Sequence, residues 1–274
     1  MHIWYNQYID INLKMNSFVA VKTTAYGIFG RMFLMVTLKG QTVCNGNAFG
    51  EIYVIPKQLK NVDRYRVKNT EEEFSRFEKA QRVAMSQLND LYRKVYDEMG
   101  KAEAMIFSTQ QMMLWDEDFT AMISRIINDD SLNAEAAIED TCKEFVAIFK
   151  KVSDSYISER CEDIKDVSRR LINVLSDTQN TTLNNDTPLI IAAHTLSPSE
   201  IAGFDKDKIL AVLTEKGSDS SHAAILIQKM NIPSLTGVKS VTDKKYHGKN
   251  AAVDCESGVV YIEPDETTLN ILSV

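Results

Sequence analysis

The chain has 274 residues, 44% of them hydrophobic, and a formal net charge of −7. That length and apolar content support one or two domains with proper cores. The acidic balance argues against a general nucleic-acid binder, which should carry a basic footprint, while a locally basic partner stays compatible with it.

Residues 1–40 are expected to be a poorly specified extension. MHIWYNQYIDINLKMNSF has no clean period, and the apolar run from Phe18 to Leu38 is broken by Lys22 and Arg31. It lacks the roughly 20 uninterrupted apolar residues of a membrane span. It also lacks the basic n-region and the cleavage site of a signal peptide. Met35 would begin a chain that makes better sense; a weak membrane-associating segment is the alternative.

Residues 41–68 read as the first part of an α/β domain. Gly46 and Gly50 make a turn before the strand-like Glu51–Ile55, which Pro56 closes. A helical block follows over 69–176. Thr70 and Glu73 have capping-box spacing. Phe74, Phe77, Ala84, Leu88, Leu91, Tyr92, Val95 and Met99 recur every three or four residues until Gly100. Further helices are expected over Glu103–Leu114, over Phe119–Ile127 and after Asn133, with Tyr156–Leu175 continuing that last helix or forming a fifth. No proline interrupts Glu71–Leu175, which predicts an all-α bundle of antiparallel helices.

The tract Ser176–Pro188 is polar and reads as a linker, bounded at 177–187. Leu189–Ala193 and Ile209–Thr214 then read as buried strands, with a short helix opening at Ser197–Phe204. Ala251–Asp254 and Gly258–Ile262 are strands around a turn. Residues 188–265 are the second part of the α/β domain, and 266–274 are a C-terminal tail. The fold class is therefore mixed α/β and α+β, with the bundle inserted between two parts of one α/β domain.

Chemistry concentrates in GSDSSHAAI, Gly217–Ile225. A glycine and small polar residues lead to His222, and an apolar helical pattern follows. This is a loop that becomes a helix, with Ser220 or Ser221 as N-cap. Free amides and the dipole at such a start favour an anion beside the imidazole. Neutral imidazole is a nucleophile near neutral pH. A histidine so placed suits a phosphohistidine site; capping or packing is the plainer role for a histidine at a helix start.

The stretch resembles the GG-x-[ST]-SHAAI-x-AR signature of the phosphohistidine domain of phosphoenolpyruvate-utilising enzymes. NIPSLTG, Asn231–Gly237, resembles the continuation of that motif. NGNAFGEIYV resembles the family's opening, with Asn45 at a usual proline. LSPSE (Leu196–Glu200), AMIFSTQQMMLWDED (Ala104–Asp118) and YISERCEDIKDVSRRL (Tyr156–Leu171) resemble further family segments. The likeness covers roughly residues 42–265 and is nearest to the N-terminal half of Enzyme I of the bacterial sugar phosphotransferase system. It implies a swivelling α/β domain that carries the phosphohistidine. It also implies a helical insertion that docks HPr, a small histidine-containing phosphocarrier.

Position by position, the resemblance makes His222 the phosphoryl acceptor through Nε2, with Gly217, Ser220 and Ser221 in the supporting loop. It puts Ser197 where a hydroxyl bonds the other ring nitrogen. Ser197 equally suits the N-cap of a helix beginning at Pro198. Gln110, Met112, Met113, Tyr156, Ile157, Arg160 and Ile164 fall where the family contacts HPr. Adjacent methionines suit an adaptable docking surface; core packing for the methionines and a solvated charge for Arg160 are the plainer readings.

Ser218 replaces a motif glycine, Asp219 and Gln228 stand where arginines are common, and Gln110 replaces a histidine. These departures leave open an impaired HPr-docking or regulatory module. The phosphohistidine domain of a pyruvate phosphate dikinase is a further alternative, though no Gly-rich nucleotide loop accompanies it. Complete Enzyme I continues into a barrel that binds phosphoenolpyruvate and Mg2+. This chain stops at Val274, so it is expected to hold no cofactor itself and to exchange phosphate with an HPr-like carrier. Cys44, Cys142, Cys161 and Cys255 have no CxxC or metal-ligand spacing and are expected as reduced, mostly buried thiols of a cytoplasmic protein. His2, His194 and His247 read as ordinary surface or core histidines.

Overall fold

The computed structural model describes residues 35–56, 62–151, 155–177 and 187–272, with the backbone alone over 155–159. Three strands come first: β1 (Val36–Lys39), β2 (Gln41–Cys44) and β3 (Asn47–Val54). Five follow late in the chain: β4 (Leu189–Ala193), β5 (Ile209–Thr214), β6 (Ser234–Thr236), β7 (Asn250–Asp254) and β8 (Val259–Ile262). They form one sheet in the order β1-β8-β7-β3-β4-β5-β6-β2. Strands β3 to β6 run parallel, and the other pairings are antiparallel.

Strands β1 and β2 stand at opposite ends of that order, yet only Gly40 separates them in sequence. The sheet therefore curls until its two ends meet at Gly40. Gly40 sits at the seam. A Cβ there would lie 2.5 Å from Val238 Cγ2 and 2.8 Å from the Thr236 carbonyl oxygen.

Side chains alternate across the sheet with the period of two that strands impose. Ile190, Ala192, Ala211, Leu213, Val253 and Val260 fill the inside of the curl. Leu189, Ile191 and Val212 face the helices. With both faces covered, β4 is buried throughout and reads as an unbroken apolar run.

Between β3 and β4 the chain makes five helices: α1 (Thr70–Met99), α2 (Lys101–Leu114), α3 (Glu117–Asp130), α4 (Ala134–Phe149) and α5 (Ser155–Leu175). Strands β3 and β4 are nonetheless parallel neighbours, with Ile52 opposite Ile190 and Val54 opposite Ala192. The helices are thus an insertion into the sheet. Their apolar stripes meet around Phe77, Leu88, Phe107, Ile123, Ile138 and Leu171. Gly100, at φ 102°, ends α1 and donates its amide to the Val95 and Tyr96 carbonyls.

The second part of the α/β fold adds α6 (Pro198–Gly203), α7 (His222–Lys229) and α8 (Glu266–Leu272). The bundle holds α6 at both ends. Lys94 of α1 donates to the carbonyls of Ala202 and Phe204, and Asp166 of α5 accepts from the Ser199 amide at 3.3 Å. Among the described residues no helix is long and apolar enough to cross a membrane.

Four expectations need correction. The extension does not run to residue 40, because Val36–Lys39 pairs with β8; four residues are too few for an alternation to declare itself. The cap of α1 is Asn69, whose Oδ1 accepts from the Glu72 amide at 3.1 Å. Thr70 is already helical, and Glu73 turns instead to Arg76 and the Ala134 amide. Gly50 makes no turn: it lies inside β3, which begins at Asn47. The stretch expected as a tail is helical over Glu266–Leu272. Linker residues 178–186 and extension residues 1–34 lie outside the described residues.

Candidate active site

The motif loop leaves β5 and turns at Gly217, whose φ of 147° suits glycine. Ser221 caps α7: its Oγ accepts from the Ala224 amide at 3.2 Å and donates to the Ser218 carbonyl at 3.0 Å. Ser220 is exposed beside Ser218, with their hydroxyls 3.3 Å apart. His222 is then the first residue of α7.

The imidazole of His222 is 35% exposed and opens on a cleft of 370 Å³ between α7 and the bundle. Glu103, Met105, Ile106 and Thr109 line it from α2, Arg160 and Asp163 from α5, and Ile225 and Leu226 from α7. His222 Nδ1 lies 3.7 Å from Asp163 Oδ1. Lys229 of α7 pairs with Glu103 of α2 at 2.9 Å. The Lys229 ammonium, together with a backbone hydrogen bond, holds the Glu103 carboxyl below the usual glutamate value.

Both arginine replacements in the motif are tied to β2. Asp219 Oδ2 accepts from Gln41 Nε2 at 3.0 Å, and Gln228 Nε2 donates to the Val43 carbonyl at 2.9 Å. They anchor the loop and helix to the sheet without supplying a cation. The guanidinium that lines the cleft is Arg160, from the bundle.

Ser197 caps α6 in a full capping box. Its Oγ accepts from the Glu200 amide at 3.3 Å, and its own amide donates to Glu200 Oε2 at 2.8 Å. The capping role of Ser197 is the one seen; the group opposite His222 Nδ1 is Asp163.

The expected docking residues divide. Met112 is 74% exposed, and Met113 is half-buried against the bundle core. Gln110 is fully buried and donates to Asp166 Oδ2 at 3.1 Å, and Ile164 is buried in the core. Neither can touch a partner. On α2, Gln110 shares the inward stripe of Phe107 and Leu114; on α5, Ile164 shares that of Val167 and Leu171. Tyr156 and Ile157 lie on α5 with side chains outside the described residues.

Sequence reasoning missed Asp163. A signal existed: Asp163, Asp166 and Arg170 recur at three- and four-residue spacing in phase with the apolar face of α5, and all three are buried. Charges on a buried stripe call for partners.

The two other described histidines have structural partners. His194 Nδ1 is 2.7 Å from Glu215 Oε2, and Glu215 Oε1 accepts the Thr242 hydroxyl at 2.6 Å. Burial would push the Glu215 carboxyl up, but these bonds outweigh it and bring it down. His247 Nδ1 accepts from the Val54 amide, and His2 lies outside the described residues. The four cysteines are free thiols, and burial pushes Cys255 up to about 12. Among the described residues no three His, Cys, Asp or Glu side chains gather to hold a metal.

Two family models match in tandem. The model for the N-terminal part of PEP-utilising enzymes covers residues 39–160, and the model for their mobile domain covers residues 185–258. The chain belongs to the phosphoenolpyruvate-utilising enzymes. Within that family the phosphoenolpyruvate-protein phosphotransferase of Latilactobacillus sakei is 32% identical over 240 residues, 86% of this chain and 41% of that protein. Its Bacillus subtilis counterpart is 30% identical over 237 residues, 86% and 41% of the two chains. The chain thus spans 41% of the length of each of these relatives. A solution structure of Enzyme I superposes with a TM-score of 0.70 at 26% identity, covering 86% of this chain and 96% of that one. The N-terminal domain of Enzyme 1 - Nitrogen, at a TM-score of 0.59 and 21% identity, shares the fold. In this member of the PEP-utilising family, His222 stands where the bundle and the sheet domain face each other.

Proposed function

We propose that the chain is a phosphoryl carrier of the sugar phosphotransferase type. His222 accepts a phosphoryl group on Nε2 and passes it to the histidine of an HPr-like carrier, with phosphoenolpyruvate as the ultimate source in a longer enzyme. The observation that carries this reading is the setting of His222: a part-exposed imidazole at a capped helix start, opening on a cleft beside an exposed methionine face.

The α7 amides and dipole favour an anion beside the ring. Arg160, across the cleft, adds a guanidinium suited to phosphoryl oxygens. Transfer between two imidazoles needs in-line positioning and charge stabilisation more than covalent help from the protein. Met105, Met112 and Trp115 are exposed on α2 and offer a carrier an adaptable apolar surface. Free thiols suit a cytoplasmic setting. No cofactor is needed in this half of the reaction.

The test is incubation with phosphorylated HPr, read by intact mass at neutral to alkaline pH. The reading expects a gain of one phosphate that His222→Ala abolishes while its circular dichroism stays unchanged. HPr binding without any gain would favour a docking module that has lost the chemistry.

A further inference from the structure

The carboxylate opposite His222 comes from a distant part of the chain. Asp163 sits on α5 of the inserted bundle, and its Oδ1 is 3.7 Å from His222 Nδ1. Its side chain is 2% exposed. Among the described residues its Oδ2 accepts no hydrogen bond. A buried carboxylate oxygen without a donor is unfavourable, so such a carboxylate is kept where a charge can stand beside it. The His222 ring nitrogen faces its other oxygen, Oδ1.

Among the described residues, the charged groups around the ring come from three elements: Glu103 from α2, Arg160 and Asp163 from α5, and Lys229 from α7. Lys229 is committed to Glu103 at 2.9 Å. Among the described residues, Asp163 offers a carboxylate within ion-pair distance of the imidazole.

We propose that Asp163 is a positioning residue for His222: it takes the Nδ1–H, which fixes the tautomer that leaves the Nε2 lone pair for phosphorus. This rests on the reading of His222 as the phosphoryl acceptor. This role requires the 3.7 Å gap to close to the roughly 2.8 Å of a charge-assisted bond. In the transfer, the Nε2 lone pair forms the new N–P bond as the P–N bond to the donor imidazole breaks. That electron pair returns to the donor ring, and the proton on Nδ1 stays in place. The His222 ring gains positive charge as the bond forms, and the Asp163 carboxylate beside it stabilises that charge. A buried aspartate orients the base of a serine-protease triad in the same way. Because Asp163 belongs to the insertion, the tautomer is set only while the bundle is docked on α7.

The experiment uses the full chain with 15N-labelled histidine. Nδ1 and Nε2 shifts report the His222 tautomer, and initial rates with phosphorylated HPr separate kcat from KM. Wild type should show Nδ1–H. Asp163→Asn should mix the tautomers and lower kcat at least tenfold with KM within twofold, and Asp163→Glu should recover part of both. Wild-type His222 in the Nε2–H form would overturn the proposal without any variant, even if Asp163→Asn does not fold. So would an Asp163→Asn protein with wild-type tautomer and kcat. If wild type takes no phosphate at all, the acceptor reading fails, while the spectra still decide whether Asp163 sets the tautomer.

Discussion

Lys94 of α1 reaches out of the bundle and donates its ammonium to the carbonyl of Ala202, 2.8 Å away, at the C-terminal end of α6. A second bond goes to the Phe204 carbonyl at 3.1 Å. A cation at that end and the Asp166 carboxylate at the other complement the direction of the helix dipole. Lys94→Met keeps the aliphatic stem and removes the bonds. It should cost about 1–3 kcal/mol, the loss expected for part-buried acceptors left unpaired. Urea denaturation measures it, and amide exchange should rise first in α6.

Gly40 has no room for a side chain, so Gly40→Ala must push Val238 or open the seam between β1 and β2. The expected cost is about 1–3 kcal/mol, as for other overpacking substitutions. Gly203→Ala is the control: its Cβ would meet nothing within 4 Å. Equal melting temperatures for the two variants would contradict the closed seam.

Arg76 bridges Glu73 and Glu135 and also reaches the Leu175 carbonyl. Burial pushes the Glu135 carboxyl up, but the bonds from Arg76 and Asn133 outweigh it, and its value falls below the ordinary 4.5. A carboxyl lowered by folding contributes stability that is full above its unfolded value and is lost as pH falls through the folded one. Denaturation midpoints should therefore hold near neutrality and fall below about pH 4.5. Glu135→Gln should cost about 1–2 kcal/mol at pH 7 and much less at pH 3.

On the proposed carrier reading, Met112→Ala should weaken binding of an HPr-like carrier roughly tenfold, the scale of a well-placed interface side chain, and leave stability unchanged. Gln110→Ala should do the reverse, because it removes a buried donor from Asp166. Calorimetric titration and thermal melts distinguish the two. If Gln110→Ala weakens binding without lowering the melting temperature, its burial in the bundle is wrong.

Asp219 puts a negative charge three residues before His222. On the proposed carrier reading, Asp219→Asn should speed transfer from phosphorylated HPr by roughly 2–5-fold at low salt, the size of a screened repulsion between exposed charges. The gain should fade as salt rises. A salt-independent gain would point to loop conformation instead of charge.

Long periodic elements were legible in the chain. The first four bundle helices follow from spacing, from Gly100 and from the absence of proline, and β4 and β5 from short apolar runs. The pattern leaves open whether Tyr156–Leu175 continues the fourth helix or forms the fifth that it is. Strands β1, β2 and β6 are three or four residues long and take their identity from partners far away in sequence, so no local pattern announces them. His222 and its cap were readable because a capping serine and an apolar face both leave local marks. The partner of His222 was not, since Asp163 meets it only through the packing of α5 on α7. Likeness to a family put Gln110 and Ile164 on a surface; helical phase, read alone, would have turned both inward.

The insertion has a consequence for synthesis on the ribosome. All five bundle helices are complete in the nascent chain once residue 175 has emerged, and they carry most of their own core. Strand β3 must wait for β4, and β1 for β8, whose last paired residue is Ile262. Translation therefore delivers a folded bundle first, with three unpaired strands trailing from its start. Strand β2 finds its place once β6 is out, and only β1 waits for the exit tunnel to release β8. A pause or truncation before Ile262 leaves an intact bundle and a sheet that lacks its β1–β8 end, which makes the distal codons the ones on which completion of the sheet depends.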